Sequence, residues 1–260
     1  MYRILETGRT GLDALQKKMD TISNNLANLQ TTGYKSLEVQ FEDLIYDQVA
    51  NKGVPLSREA REMSMELGTG SKIKDVQRQW KQGELEETSS PLDLAIEGKG
   101  FFGVEDKNGR FFLTRDGAFH IDGNGQLVDS RGNLVVAQIN ASLFQWNQIS
   151  IDQEGRIFGK NQWGNSQEIG KIRLFDITNQ NRLINVGENY FSVENEDILL
   201  TSENMEGEWG KICQGFLERS NVDPTKEMVN MLITQRAYQM NTKSITAADE
   251  MWSMVNQLRR

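Results

Sequence analysis

The feature that most constrains the fold is a heptad seam in the first 35 residues. Its apolar side chains are spaced three, four, three, four and three residues apart, at Leu12, Leu15, Met19, Ile22, Leu26 and Leu29. This a/d spacing puts them in one narrow stripe along a helix, the kind of stripe that packs against another helix. Thr31 and Thr32 disfavour helix, and Gly33 can adopt the left-handed conformation that ends one. We therefore predict an amphipathic helix within residues 1–35 that needs a partner.

The C-terminal residues supply a candidate partner. Asp223 can cap a helix, Pro224 suits its first turn, and Glu227 complements the helix dipole there. A helix over Pro224–Leu258 is therefore predicted. Its seam repeats every seven residues, at Met231, Tyr238, Ile245 and Trp252. The two helices either form a layer of their own with the intervening chain looped out, or they pack as a pair on a face of that chain. Spacing alone leaves both arrangements open.

Between the helices the sequence has the texture of short strands. Leu94 and Ile96 alternate with charged or small residues, which indicates a half-buried strand. Further short apolar runs follow as far as Ile198–Thr201, separated by glycine-containing turns. One of these turns, Asn108–Gly109, favours a type I′ hairpin. The predicted fold class is α+β, a discontinuous coiled-coil-like helical layer from the two ends of the chain with an inserted mainly-β domain.

The predicted organisation has four consecutive segments. They are the N-terminal helix in residues 1–35, a bridging segment with a loop or hairpin in 36–91, the mainly-β domain in 92–206, and a return segment with the C-terminal helix in 207–260. Inside the bridging segment, Glu38–Val49 is predicted to be a short helix or irregular. Lys52–Gly70 is predicted to be a polar loop or long hairpin, and Lys72–Leu85 to be extended.

Charge and composition exclude several classes of protein. The net charge of -8 over 260 residues argues against non-specific binding to nucleic acid or to anionic lipid. The single cysteine, Cys213, excludes an internal disulfide. No run of eighteen apolar residues exists, and the spaced apolar residues of the N-terminus do not resemble a Sec-type signal. On these features alone we would expect a cytoplasmic protein.

Several partial matches to catalytic or cofactor-binding motifs lack the neighbouring residues or secondary structure that the chemistry requires. Gly98–Gly103 matches the G-x-G-x-x-G pattern, but no helix is predicted to begin there, as a dinucleotide site requires. Asp122–Asn133 begins like a calcium loop but lacks its glycine and its final glutamate. His120 is the only histidine, and nothing near Cys213 in the sequence activates it. We predict no catalytic, metal or cofactor site, which favours an interaction protein. A monomeric β-domain enzyme or a carbohydrate-binding protein remains the alternative.

Three separated motifs resemble one family. Asn24–Asn28 and Thr31–Lys35 resemble the N-terminal signature of bacterial flagellar axial proteins, the rod, hook and hook-junction subunits. Asp93–Phe102 is similar to the family's central segment, and Leu217–Asp223 with Gln235–Asn241 to its C-terminal segment. The motif residues carried over are Asn24, Asn25, Ala27, Asn28, Thr32, Gly33, Lys35, Ser220, Asn221, Gln235, Arg236 and Tyr238.

The resemblance implies a function. Phe41–Tyr46 and Leu67–Gly70 are most similar to the distal rod subunit, with a proximal rod or hook-type subunit as the alternative. Such a subunit leaves the cytoplasm through the flagellar export apparatus without a cleavable signal peptide. It then assembles with copies of itself, and with other rod and hook subunits, into a hollow helical tube in the basal body that transmits torque and carries the export channel. The resemblance implies no enzymatic activity, cofactor, nucleic acid or small-molecule substrate. It makes both helical seams the expected contacts between subunits.

Overall fold

The computed structural model describes residues 2–43, 47–48, 66–67, 70–139, 143, 146, 148–160, 166–193, 199–201 and 209–258. Two long helices flank a set of short strands, which confirms the predicted α+β class. The helices are α1 (Tyr2–Ala27) and α2 (Pro224–Leu258). The strands are β1 (Leu37–Asp43), β2 (Asp47–Gln48), β3 (Glu66–Leu67), β4 (Ser71–Arg78), β5 (Leu85–Glu87), β6 (Leu94–Glu97), β7 (Phe101–Glu105), β8 (Phe111–Thr114), β9 (His120–Ile121), β10 (Leu127–Val128), β11 (Leu134–Val135), β12 (Ala137–Ile139), β13 (Gln148–Ile151), β14 (Arg156–Lys160), β15 (Ser166–Ile172), β16 (Leu174–Ile177), β17 (Ile184–Gly187), β18 (Tyr190–Ser192), β19 (Leu199–Thr201), β20 (Lys211–Gln214) and β21 (Phe216–Glu218).

The chain forms two compact units, and each unit is built from separated stretches of sequence. The helical unit comprises Met1–Ala27, Leu37–Gln77 and Asp223–Arg260, and the β unit comprises Asn28–Ser36 and Arg78–Val222. These boundaries differ from the four consecutive segments predicted above. Residues 28–35, assigned by sequence to the N-terminal helix, lie in the β unit, and so do the described residues 209–222 of the return segment.

Within the helical unit, α1 and α2 pack antiparallel. The side-chain amide of Asn241 donates to the carbonyl of Gly8 at 3.0 Å. A Cβ atom at Gly8 would lie 2.8 Å from Cγ1 of Ile245, and one at Gly11 would lie 2.8 Å from Nδ2 of Asn241. The two glycines therefore permit a close approach of the helices that a side chain at either position would obstruct.

The predicted bounds of α2 are confirmed, whereas the extent of the first helix was overestimated. Asp223 caps α2, since its carboxylate accepts hydrogen bonds from the amides of Thr225 at 2.9 Å and Lys226 at 3.2 Å. Helix α1 ends at Ala27, so Leu29 lies beyond it in a turn. Asn25 contributes to this end, because its side chain exchanges two hydrogen bonds of 2.9 Å with the backbone of Leu37.

Strands β1 and β4 pair as a two-stranded ribbon. The described part of Glu38–Val49 is therefore neither helical nor irregular, because residues 38–43 belong to β1. The two-residue strands β2 and β3 pair antiparallel, with Asp47 opposite Leu67. Of the predicted Lys52–Gly70 loop, residues 52–65 and 68–69 lie outside the described residues.

In the β unit, a nine-stranded sheet follows the order β17-β18-β8-β7-β11-β10-β9, with β16 pairing with both β7 and β19. A four-stranded sheet has the order β12-β15-β14-β13. Two further antiparallel pairs, β6 with β20 and β5 with β21, join the first strands of the unit to its last. The largest apolar cluster includes Leu94, Ile96, Phe102, Val104, Phe119, Leu143, Ile157, Ile169, Ile172 and Ile212.

Four hairpin turns share the pattern Asp-x-x-Gly, beginning at Asp106, Asp122, Asp129 and Asp152. In each turn, the backbone amide of the glycine donates to the backbone carbonyl of the aspartate, and the backbone amide of the aspartate donates to the carbonyl of the residue after the glycine. The glycine has a positive φ and the residue before it does not. Asn108–Gly109 is thus not the predicted type I′ turn, which needs a positive φ at both residues. The hydrogen bonds of Asp106 with Gly109 and Arg110 close a longer loop instead. A pair of positive φ angles occurs instead at Glu188 and Asn189, between β17 and β18.

Candidate functional site: a buried junction in the β unit

The segment that follows α1 is fixed by contacts inside the β unit. The amide of Gly33 donates to the carbonyl of Glu218 at 2.7 Å. The hydroxyl of Thr32 donates to Asp116 at 2.7 Å, and the side-chain amide of Asn189 donates to the Thr32 carbonyl at 2.8 Å. Burial raises the pKa of Asp116, against the effect of the hydroxyl it accepts from. Part of the family motif is therefore the first stretch of the β unit rather than the last turn of a helix.

A buried ionic cluster lies directly after this segment. The Lys35 ammonium is 2.6 Å from one carboxylate oxygen of Glu218, and the Arg115 guanidinium is 3.4 Å from the other. The side chains of Lys35 and Glu218 are each 1 % exposed and that of Arg115 is 6 % exposed. Burial lowers the pKa of Lys35, and Glu218 acts in the opposite direction. Two cations thus share one carboxylate away from solvent.

Backbone groups add hydrogen bonds to all three side chains, while the buried Nε of Arg115 has no hydrogen-bond partner among the described residues. Lys35 also donates to the carbonyl of Lys81 at 3.0 Å, and Arg115 donates to that of Gly98 at 2.9 Å. Glu218 also accepts the amide of Gly83 at 2.9 Å. Because buried charges are tolerated only when paired and hydrogen-bonded, these contacts make the cluster compatible with the interior.

Asn221 joins the same region from the C-terminal side. Its side-chain oxygen accepts the amide of Ser36 at 2.7 Å. Its side-chain nitrogen donates to the carbonyls of Gln79 at 2.8 Å and Lys81 at 2.9 Å. One amide side chain therefore connects three segments at places where the chain passes between the β unit and the helical unit: near residue 36, near 79 and near 221. We call the contacts made by Lys35, Arg115, Glu218 and Asn221 the junction.

Aromatic rings surround Arg78 beside the junction. Its guanidinium lies 5.8 Å from the ring centre of Tyr34 and 5.1 Å from that of Phe191, and it donates to the carbonyl of Lys35 at 3.0 Å. The ring of Trp80 meets Phe191 edge to face at 5.0 Å. These contacts hold the first residues of the long β-unit stretch against the motif segment.

The structure brings some of the predicted motif residues together and separates others. Gly33, Lys35 and Asn221 meet at the junction, whereas Thr32 contacts Asp116 and Asn189. Ser220 accepts the amide of Val222 at 3.4 Å. Asn28 accepts the hydroxyl of Thr31 within the turn after α1, and Asn25 is buried at the end of α1 in the helical unit. The remaining motif side chains are exposed or half-buried on the helices: Asn24, Ala27, Gln235, Arg236 and Tyr238.

Sequence reasoning missed Glu218 and Arg115. Glu218 lies inside a stretch that carries the family resemblance, but each of the two residues is followed by another charged residue, Asp116 or Arg219, and is easily taken for a surface position. The available signal was that Glu218 follows Phe216 and Leu217 in a short strand, where a charge needs a partner.

The helical seams are only partly covered within one chain. On α1, Ile22 is buried while Leu12, Leu15, Met19 and Leu26 are half-buried, as is Leu29 in the β unit. On α2, Met231, Tyr238, Ile245 and Trp252 are all half-buried. A second set of apolar side chains on α2 is at least 50 % exposed, namely Met228, Val229, Leu232, Ile233, Met240, Met251, Met254, Val255 and Leu258. At 100° per residue most of this set lies on the side of α2 away from the half-buried seam, whereas Met228 and Val255 lie only about 60° from Met231 and Trp252.

The remaining sequence candidates have structural roles. Strand β7 begins directly after Gly100 and contains Gly103, where a dinucleotide site would need a helix to begin. Asp122 accepts the amides of Asn124 and Gln126 in its turn. Burial and the nearby Glu97 raise the pKa of the half-buried Cys213. Across the described residues, no group of three His, Cys, Asp or Glu side chains could hold a metal ion, and neither helix is long and apolar enough to cross a membrane.

A long helix with an exposed apolar side, together with buried charges that serve the packing of the β unit, is typical of structural and interaction proteins. Family models agree over three stretches. Residues 5–35 match the flagella basal body rod protein model, residues 95–159 the D1 domain of the flagellar hook protein FlgE/F/G, and residues 214–258 the C-terminal region of flagellar basal body rod FlgEFG proteins.

Full-length relatives point the same way. The chain is 38 % identical to the flagellar basal-body rod protein FlgG of Borreliella burgdorferi, over 100 % of both chains. It is 40 % identical to FlgG of Buchnera aphidicola subsp. Baizongia pistaciae, over 96 % of this chain and 97 % of that one, and 35 % identical to FlgG of Agrobacterium fabrum, over 98 % of both. The chain belongs to the flagellar basal-body rod protein family, a family of structural subunits of the bacterial flagellum.

Proposed function

We propose that the chain is the distal rod subunit, and that copies of it assemble through their helices into a hollow helical tube that transmits torque and encloses the export channel. Full-length similarity to proteins named FlgG supports the distal type, as do the residues Phe41–Tyr46 and Leu67–Gly70. The proposal includes export without a cleavable signal peptide by the flagellar export apparatus, and contacts with other rod and hook subunits at the ends of the tube.

The observation that carries this proposal is the exposed apolar side of α2. Met240 is 72 % exposed and Leu258 is 88 % exposed, and seven further large apolar side chains of α2 are exposed by half or more. A stripe of this kind is typical of a surface that another molecule covers. A second copy is the occupant we propose, because contacts that repeat head to tail without closing build a helical filament.

A charge on this exposed side tests the proposal. Met240→Asp should leave the single chain folded, since the side chain is already in solvent, and should abolish assembly because the charge would be desolvated between subunits. Assembly of the purified chain is measured by sedimentation and electron microscopy, and folding by circular dichroism. The control is Thr242→Asp, an exposed position about 160° round the helix from Met240 and outside the apolar set, which should assemble normally. Normal assembly of the Met240→Asp chain would refute this interface.

The rod identity has its own test in cells. Electron microscopy of basal bodies from cells that lack the protein should show rods without their distal part. A complete rod with a hook attached would contradict the distal-rod assignment while leaving family membership intact.

A further inference from the structure

Glu218 is the point where early and late parts of the β unit meet. Its carboxylate contacts Lys35, Gly83 and Arg115, which come from three different segments that all precede it in the chain. Lys35 lies 183 residues before Glu218, and Arg115 lies 103 residues before it. A single late residue therefore completes the environment of side chains that are synthesised much earlier.

Burial of the two cations of the junction requires the carboxylate of Glu218. Before Glu218 is in place, burying Lys35 and Arg115 would put two cations into the interior with no carboxylate of the described residues at ion-pair distance, since the charge of Asp176 acts on Arg115 only from a longer distance. Removing one partner from a buried ion pair is far more damaging than replacing the pair, because an uncompensated buried charge remains. Any compact form of the earlier residues must then either keep these two side chains in solvent or carry that penalty.

The strand pairs around Glu218 also join an early strand to a late one, so they too can form only after the late residues have been synthesised. Strand β20 is a hydrogen-bonded neighbour of β6, with Ile212 opposite Ile96, and β21 is the neighbour of β5. Between them, the amide of Gly215 donates to the carbonyl of Asp93 at 2.7 Å. Ile212 itself is 1 % exposed within the largest apolar cluster. Residues 211–218 therefore supply strand neighbours and part of the core as well as the carboxylate.

We propose that Glu218 is the closing residue of the β unit: the unit becomes stable only when residues 211–218 dock and their carboxylate neutralises the buried Lys35 and Arg115. Synthesis proceeds from the N-terminus, so a growing chain lacks a folded β unit until more than four fifths of it has been made. This inference concerns the order of folding and holds whether or not the chain is a distal rod subunit.

Refolding of the full chain from denaturant tests the order directly. Pulsed hydrogen exchange with peptide mass spectrometry can follow the hairpin of β7 and β8 and the segment Lys211–Glu218 in the same experiment. The two are expected to become protected at the same rate. Protection of β7 and β8 while Lys211–Glu218 still exchanges freely would overturn the proposal.

Substitutions separate the charge effect from the loss of a strand. Glu218→Gln keeps the side-chain shape and an acceptor for the Gly83 amide but removes the counter-charge. We expect the folding equilibrium constant of the β unit to fall by about 100-fold or more. The matched control is Glu86→Gln on the paired strand β5, which removes an exposed partner of Arg219 and should change the constant by less than about 5-fold. Equal effects of the two substitutions would contradict the proposal.

A chain without the buried charges provides the converse test. Replacing both cations as well, in the variant Lys35→Met, Arg115→Met, Glu218→Gln, removes the penalty on early burial. This variant should be more stable than Glu218→Gln alone, and β7 and β8 should now become protected before Lys211–Glu218. If the triple variant is no more stable than the single variant, the ionic cluster does not control closure.

Discussion

At the scale of single residues, Gly33 is subject to two independent restrictions. Its φ of +65° lies in the left-handed region, and a Cβ atom there would lie 2.7 Å from the backbone carbonyl carbon of Arg115. The sequence correctly indicated a left-handed glycine but for a different reason, the end of a helix. The structure shows that the residue permits close contact with the backbone directly after strand β8, six positions after α1 has ended.

Gly33→Ala is therefore expected to destabilise the β unit by about 2–4 kcal/mol, from backbone strain and from displacement of the Arg115 backbone. Urea unfolding followed by tryptophan fluorescence measures the loss. Gly132→Ala is the matched control, because Gly132 has a φ of +82° but nothing within 4 Å of its Cβ position. It should cost only the strain of about 1–2 kcal/mol. Similar losses in the free energy of unfolding for the two variants would show that the close approach of Gly33 to Arg115 does not affect stability.

At the scale of elements, the sequence predicted those helix ends that are determined by contacts between residues close together in the chain. Asp223 and Pro224 fix the start of α2 through contacts within a few residues, so its bounds could be predicted from the sequence. The end of α1 could not, because the side chain of Asn25 binds Leu37, which lies twelve residues away. The ionic pair of the junction was beyond reach for the same reason. No spacing rule connects Lys35 to a carboxylate 183 residues further on.

The packing of α1 on α2 can be tested at Gly8. Gly8→Leu should weaken the helix pair by about 1–3 kcal/mol, because the new side chain meets Ile245 where a Cβ atom alone would lie 2.8 Å from it. Adding Ile245→Ala makes room and should recover part of the loss, although Ile245→Ala alone is destabilising. Thermal melts followed by circular dichroism at 222 nm measure all three variants. A double variant that loses the sum of the two single losses would indicate that Gly8 and Ile245 do not interact.

At the scale of the whole molecule, the negative net charge of each chain opposes the assembly of several copies. Each chain carries a net charge of -8, so copies that pack together repel one another. Salt shortens the range of this repulsion, from about 10 Å at 0.1 M to about 3 Å at 1 M. The composition predicts this property directly, and the spacing of apolar residues predicted a helical layer with an inserted β domain. The boundaries of the two units could not be predicted, because they depend on long-range pairing such as β6 with β20.

Assembly of the purified chain should therefore be faster at about 0.5 M than at about 0.05 M sodium chloride. Light scattering gives the rate, and Met240→Asp serves as the control that should remain unassembled at both concentrations. Slower assembly at high salt would mean that attractive ionic contacts between subunits outweigh their net repulsion.

The interleaving of the two units decides how the β unit can be produced as a fragment. A fragment cut at the sequence-predicted boundaries, residues 92–206, would lack both Lys35 and Glu218. A fragment of residues 78–222 would contain Arg115 and Glu218 but would still lack Lys35 and the docking segment around Gly33. Residues 28–222 are the shortest continuous stretch that contains the whole β unit, and they carry the ribbon of β1 and β4 with them as an insertion.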